Sequence, residues 1–132
     1  MKKNQISRML SVIFLTAGFV LFLSARLSDP IPVEIQVSPN VLNISSMGTV
    51  VTVHTDILYS QVAGASVSLN DVPIDWWKSD DRGYFVAKFN MIAVKTSAGL
   101  VLNEYNSLSL TGQTKDGQFF EGSTEILVIK TK

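Results

Sequence analysis

From Val33 to Ile129 the apolar side chains recur at every second position, and this period of two constrains the fold more than any other feature. A helix buries residues three and four apart, whereas a strand buries alternate ones, so the stretch is committed to half-buried strands. Val33, Ile35 and Val37 alternate with Glu34 and Gln36, and Val41 to Ile44 resume after the break at Ser38-Pro39-Asn40. Thr49 to Ile57 places Val51, Val53, Thr55 and Ile57 on one face; Ala65 to Leu69 turns Val67 and Leu69 inward. Tyr84 to Phe89 offers Phe85, Ala87 and Phe89 to a core, Tyr105 to Thr111 offers Leu108 and Leu110, and Ser123 to Ile129 offers Ile126 and Val128.

Turn chemistry separates these strands. Ser45-Ser46-Met47-Gly48, Asn70-Asp71 and Lys115-Asp116-Gly117-Gln118 carry residues that tolerate turn conformations, and Asp-Gly is favoured in tight hairpins. One segment departs from the pattern. Met91 to Lys95 follows Asn90, a good N-cap, and Gly99 stands where a C-cap would end a short helix. Six or seven short strands with one helix predict an all-β antiparallel sandwich occupying residues 33–132.

The front of the chain has another character. Met9 to Ala25 contains no charged residue, and at ~1.5 Å per residue a helix of that run is about 25 Å long, near the lower limit for crossing a bilayer. Residues 1–8 carry Lys2, Lys3 and Arg8, giving residues 1–25 a net charge of +3, while residues 26–132 hold 8 basic and 11 acidic side chains, net −3. The run therefore reads as a single transmembrane helix over 9–25, with a cytoplasmic N-terminus and the C-terminal domain outside. A cleaved signal peptide is the rival reading: Leu23-Ser24-Ala25 is a poorly formed cleavage site, but cleavage before Arg26 is compatible with it. Either reading exports the remainder. Within the run, Thr16, Ala17 and Gly18 form a small-residue patch suited to packing against another membrane helix. Residues 26–32, with Pro30 and Pro32, read as a stiff linker.

Several chemistries are excluded by composition. The chain has no Cys, which removes disulfides, thiolate metal sites and a Cys nucleophile. His54 is the one histidine and is expected to face outward, so no nucleophile-and-base pair is evident and no catalytic, cofactor or metal site is assigned. Overall charge balance, 11 basic against 11 acidic, gives no basic footprint for nucleic acid. Asn43-Ile44-Ser45 matches a glycosylation sequon and is given no role.

The stretch Val33-Glu-Ile-Gln-Val-Ser-Pro-Asn-Val-Leu-Asn-Ile-Ser-Ser-Met-Gly-Thr-Val-Val-Thr-Val53 is similar to the opening of short immunoglobulin-like β-sandwich modules of exported bacterial and archaeal proteins. The resemblance continues through Val72-Pro73, Asp80-Asp81-Arg82-Gly83, Val86-Ala-Lys-Phe89, Leu108-Ser-Leu-Thr-Gly112, Asp116-Gly117 and Phe120-Glu121-Gly122. It implies an immunoglobulin-like fold and an exported address, not an activity. Relatives often carry an Asp-rich loop of calcium-binding appearance before the Val-x-Lys-Phe strand. Here Asp80 and Asp81 stand beside Arg82, too few oxygen ligands for that ion, so a structural turn is expected.

Two features point to a partner. Trp76-Trp77 lie in an extended stretch, where neighbours point to opposite sides, so one is expected to enter the core and the other to face out; both packing inside is the competing reading. Leu127 and Ile129 occupy the face opposite Ile126 and Val128, and Phe119 precedes Phe120 in the same ambiguous way. Trp76 or Trp77 together with Phe119, Leu127 and Ile129 are thus expected to form one partner-binding sheet face. The expected role is a non-catalytic accessory subunit of a larger membrane complex, respiratory or photosynthetic being suitable hosts, with other membrane subunits and the bilayer as partners. The alternative is an exported module contacting a glycan or a surface protein through its exposed aromatics.

Overall fold

The computed structural model describes residues 29–97 and 99–131. The expected membrane helix over 9–25, its Thr16, Ala17 and Gly18 patch and the charged residues before it lie outside these residues. No helix among the described residues is long and apolar enough to cross a membrane.

The chain forms β1 (Ile31–Pro32), β2 (Ile35–Ser38), β3 (Val41–Asn43), β4 (Val50–Leu58), β5 (Val62–Leu69), β6 (Val72–Pro73), β7 (Trp76–Ser79), β8 (Tyr84–Asn90), α1 (Met91–Lys95), β9 (Glu104–Thr114) and β10 (Phe119–Ile129). One sheet has the order β2-β4-β8-β7 and the other β10-β9-β5-β6, with β1 and β3 both lying parallel to β10 along its remaining side. Taking β2, β4, β7 and β8 as strands A, B, D and E and β5, β9 and β10 as C, F and G, these are the A-B-E-D and C-F-G sheets of an immunoglobulin sandwich.

The alternation explains the packing. Val51, Val53, Phe85, Ala87 and Phe89 from one sheet meet Val67, Leu69, Leu108, Leu110, Phe120, Ile126 and Val128 from the other, all buried in one apolar core. Thr55 joins them because its hydroxyl donates to the Phe85 carbonyl at 2.6 Å, which satisfies the polar atom inside.

The local expectations fare unevenly. Asn90 caps α1 as expected, its Oδ1 accepting the Ala93 N–H at 3.0 Å. The C-terminal stop differs: α1 ends at Thr96, not Gly99, because the hydroxyls of Thr96 and Ser97 donate to the carbonyls of Ile92 and Val94 and satisfy the last turn themselves. Asn70 and Asp71 adopt φ of 46° and 66°, the paired left-handed values of a tight hairpin turn between β5 and β6. The end of the expected linker is already part of the sandwich, since Ile31 and Pro32 pair with Phe120 and Glu121. The β5–β9 register shifts between Ala63 and Ser68, and in that interval the Ser66 hydroxyl donates to Ala63 O and accepts the Gln113 N–H.

Candidate functional site

The expected partner residues fall on two different faces. β7 is the last strand of one sheet, whereas Phe119, Leu127 and Ile129 belong to β10 in the other. Their outward sides point in opposite directions, so the strand order divides the single face expected from the sequence. Phe119 and Leu127 are further separated along β10, at opposite ends of one side.

Neither tryptophan is buried: Trp76 is 47% and Trp77 38% exposed. Trp77 does point to the inner side of its sheet. It stops at the seam, because β7 is an edge strand, and its indole lies over Gly64 of β5, where a Cβ would collide with the ring. Trp76 points outward. Its ring has the Lys88 Nζ 5.5 Å from the centroid, and that ammonium also donates to Thr52 Oγ1 at 2.8 Å. Burial lowers the Lys88 pKa, and repulsion from Lys78 lowers it further.

On the opposite sheet the register assembles a group that alternation alone did not single out. Leu127 pairs with Val41 on one side and Tyr105 on the other, so three apolar side chains stand in line across β3, β10 and β9. Tyr105 is 68% exposed and Val41 is exposed. Leu127 and Ile129 are half-buried beside them. Exposed Val101 and Leu102 lie on the connection leading into β9, which buried Asn106 holds: its Oδ1 accepts the Val101 N–H at 2.7 Å, and its Nδ2 donates to the carbonyls of Val101 and Glu104. The Asn103 N–H donates to Val128 O at 2.6 Å and ties that connection to β10. On β9 and β10 the stretch between the row and Phe119 is polar, with Ser107, Ser109, Thr111, Ser123 and Glu125, and Phe119 itself is 62% exposed.

A groove of about 630 Å³ runs beside β2 and is lined by Glu34, His54, Asp56, Asp80, Arg82 and Tyr84 among others. Two of its acids are engaged in backbone bonds. Asp56 Oδ1 accepts the Glu34 N–H at 2.9 Å, and Asp80 Oδ1 accepts the N–H groups of Arg82 and Tyr84 at 2.8 and 2.9 Å. Among the described residues no three His, Asp or Glu side chains are grouped to hold a metal ion. Asp80 instead organises the Asp80–Gly83 turn, and the Tyr84 N–H, followed by Arg82, holds its carboxyl below the usual carboxylate range against a desolvation cost. A depressed folded-state pKa contributes stability that is present above the unfolded value of 3.8 and lost as pH falls through the folded value. Asp80→Asn is accordingly expected to flatten the acid limb of a plot of thermal midpoint against pH. An unchanged limb in the variant would remove Asp80 from the account.

Asn43 of the sequon is also occupied. Its Nδ2 donates to Thr131 Oγ1 at 2.8 Å and its Oδ1 accepts the Ser45 N–H at 3.0 Å, joining β3 to the segment after β10.

No protein-family model and no curated protein matches the chain. Among solved structures, the BIgI domain of beta protein from S. agalactiae bound to CEACAM1 is similar at 17% identity and a TM-score of 0.34, over 76% of this chain and 99% of that one.

The row Val41-Leu127-Tyr105 depends on pairing between strands distant in sequence, and the one signal available beforehand was the apolar outer side of the last strand at Leu127 and Ile129. Nothing local marked Val41, Val101, Leu102 or Tyr105.

Proposed function

We propose that this chain is a non-catalytic, single-pass membrane accessory subunit whose outer β-sandwich docks on and stabilises a larger membrane complex. The Met9–Ala25 run is its anchor, with residues 1–8 inside and the sandwich on the periplasmic or extracellular side. Thr16, Ala17 and Gly18 would give a neighbouring helix a close approach. Respiratory and photosynthetic assemblies are suitable hosts.

The observation that carries this reading is the apolar row of Val41, Leu127 and Tyr105. A sheet face turned to water normally alternates to polar residues, as β9 and β10 do between this row and Phe119. A line of apolar side chains on three neighbouring strands, beside the exposed Val101 and Leu102, is the kind of surface that a protein contact dries.

The test is gentle solubilisation of native membranes, purification of the tagged chain, and an intact mass with identification of what travels with it. An unprocessed chain in a stoichiometric particle is the expected result. A chain beginning at Arg26 and migrating alone would overturn the proposal in favour of a free exported module, with Trp76 as the place to look for a glycan or surface protein. Leu127→Asp sharpens the test. Its side chain lies on the outer side of β10, so the sandwich should keep its thermal midpoint within a few degrees. Co-purification should fall as for loss of an interface anchor, about 2 kcal/mol or roughly thirtyfold in affinity.

A further inference from the structure

The outer face of the β2-β4-β8-β7 sheet plays no part in that reading. Its side chains stand in two cross-strand rows, Ser38-Thr52-Lys88-Trp76 and Gln36-His54-Val86-Lys78. Residues 26–132 carry 11 acids against 8 bases, yet these eight positions hold two lysines, the histidine and no acid. The acids stand outside both rows: Asp75 ahead of Trp76, and Glu34, Asp56 and Asp80 two residues from Gln36, His54 and Lys78, lining the adjoining groove. Val86 is fully buried although it alternates away from the inter-sheet core between Phe85 and Ala87, so the face has an apolar floor between its polar groups. Lys88 spends its ammonium on a hydroxyl and an indole, and Lys78 repels it. An approaching carboxylate would relieve that repulsion.

The strand that frames this face is also the one with room beside it. All four residues of β7 are exposed, and among the described residues β7 has a neighbour on one side only, which leaves half of its backbone hydrogen-bonding groups without a ladder partner there. A polypeptide in extended form completes such an edge, and a saccharide does not. Alternate residues of an added strand would stand on the same side as Trp76 and Lys78, since side chains repeat every second residue.

We propose that β7 and the Trp76-Lys78-Lys88 face seat an extended, acidic segment of a partner protein by strand addition, with carboxylates at alternate positions meeting the two lysines and an apolar side chain meeting Trp76. This surface is on the opposite sheet from the apolar row, and the proposal stands whether or not the chain is anchored.

Trp76 and Trp77 are the two tryptophans of the chain, so its intrinsic fluorescence reports β7 directly. The full chain in detergent micelles is titrated with a blocked peptide of alternating threonine and glutamate, with the threonine–lysine counterpart, and with polygalacturonate as an anionic saccharide. The expected result is a saturable change with the glutamate peptide and none with the lysine peptide. The double variant Lys78→Gln, Lys88→Gln, checked for an unchanged circular dichroism spectrum, should bind about tenfold more weakly or worse. The corresponding arginine pair should retain binding. No response to the glutamate peptide overturns the proposal. Saturation by polygalacturonate with no response to the peptide also overturns it and assigns the face to an anionic saccharide. Equal binding by the glutamine pair removes the lysines from the site and overturns it too.

Discussion

Replacing Phe120 by alanine should cost the sandwich about 3–5 kcal/mol and lower its thermal midpoint by roughly 15–30 °C. Phe120 is buried to within 1% of its surface and stands between Ile31 of β1 and Gly112 of β9. Its ring lies where a side chain at residue 112 would be, against the Gly112 backbone and close to Val67. Removing it leaves a hole lined on one side by a glycine, which has nothing to move into the space. On the other side is a strand of two residues, too short to hold its place without the aromatic surface. The cavity term should therefore approach its full size instead of being relieved by collapse. Thermal unfolding followed by circular dichroism decides it, and a loss of less than about 1 kcal/mol would show that the β1 end of the core repacks.

Gly122→Ala should destabilise by about 3 kcal/mol through the opposite error, too much volume in place of too little. An added Cβ would overlap the carbonyl oxygen of Val33 and crowd the Ile35 side chain. Val33 is bound there by its own N–H, which donates to the Glu121 carbonyl at 3.0 Å. Backbone cannot swing away as a long side chain can, so the segment from β1 into β2 must lift off β10. The signature is local as well as global. Hydrogen exchange at the amides of Val33 and Ile35 should quicken before that of the β4 and β8 amides. Uniform loss of protection would mean that the substitution acts elsewhere.

Much of this architecture was legible in the sequence because period-two alternation reports burial directly. Val51 to Ile57 alternates as a strand with one face in a core must, and its inward set lies in the core together with Phe85, Ala87, Phe89, Ile126 and Val128, each two residues from the next in its strand. The Asn90 cap was legible for a similar reason, since side-chain capping is local chemistry. Of the edge strands, β2 alternates and was legible, but β6 and β7 give no such signal. β6 has two residues, too few to show a period, and β7 is exposed on both sides, so it does not alternate in burial. Register is also invisible in a single chain segment: nothing in Val41, Tyr105 or Leu127 by itself says that they stand in one row. For the same reason Trp76 and Leu127 look like parts of one surface until the strand order places them on opposite sheets. Asn106 is the plainest omission. A buried amide in a strand has no periodic signature, and its purpose becomes apparent only through the three bonds it makes to the preceding connection.

β10 pairs with the incoming chain at Phe120 and with the apolar row at Leu127. Those positions are seven residues apart, about 23 Å along an extended strand. The described chain thus enters at one end of the domain and offers its row toward the other. In an anchored copy, register becomes a height. The six residue steps from Ala25 to Ile31 extend to roughly 20 Å at most, and β10 adds its own fixed span above them. Under the anchoring we propose, such a domain would act as a standoff, holding its apolar row above the headgroups at the level where the outer parts of neighbouring subunits would meet it.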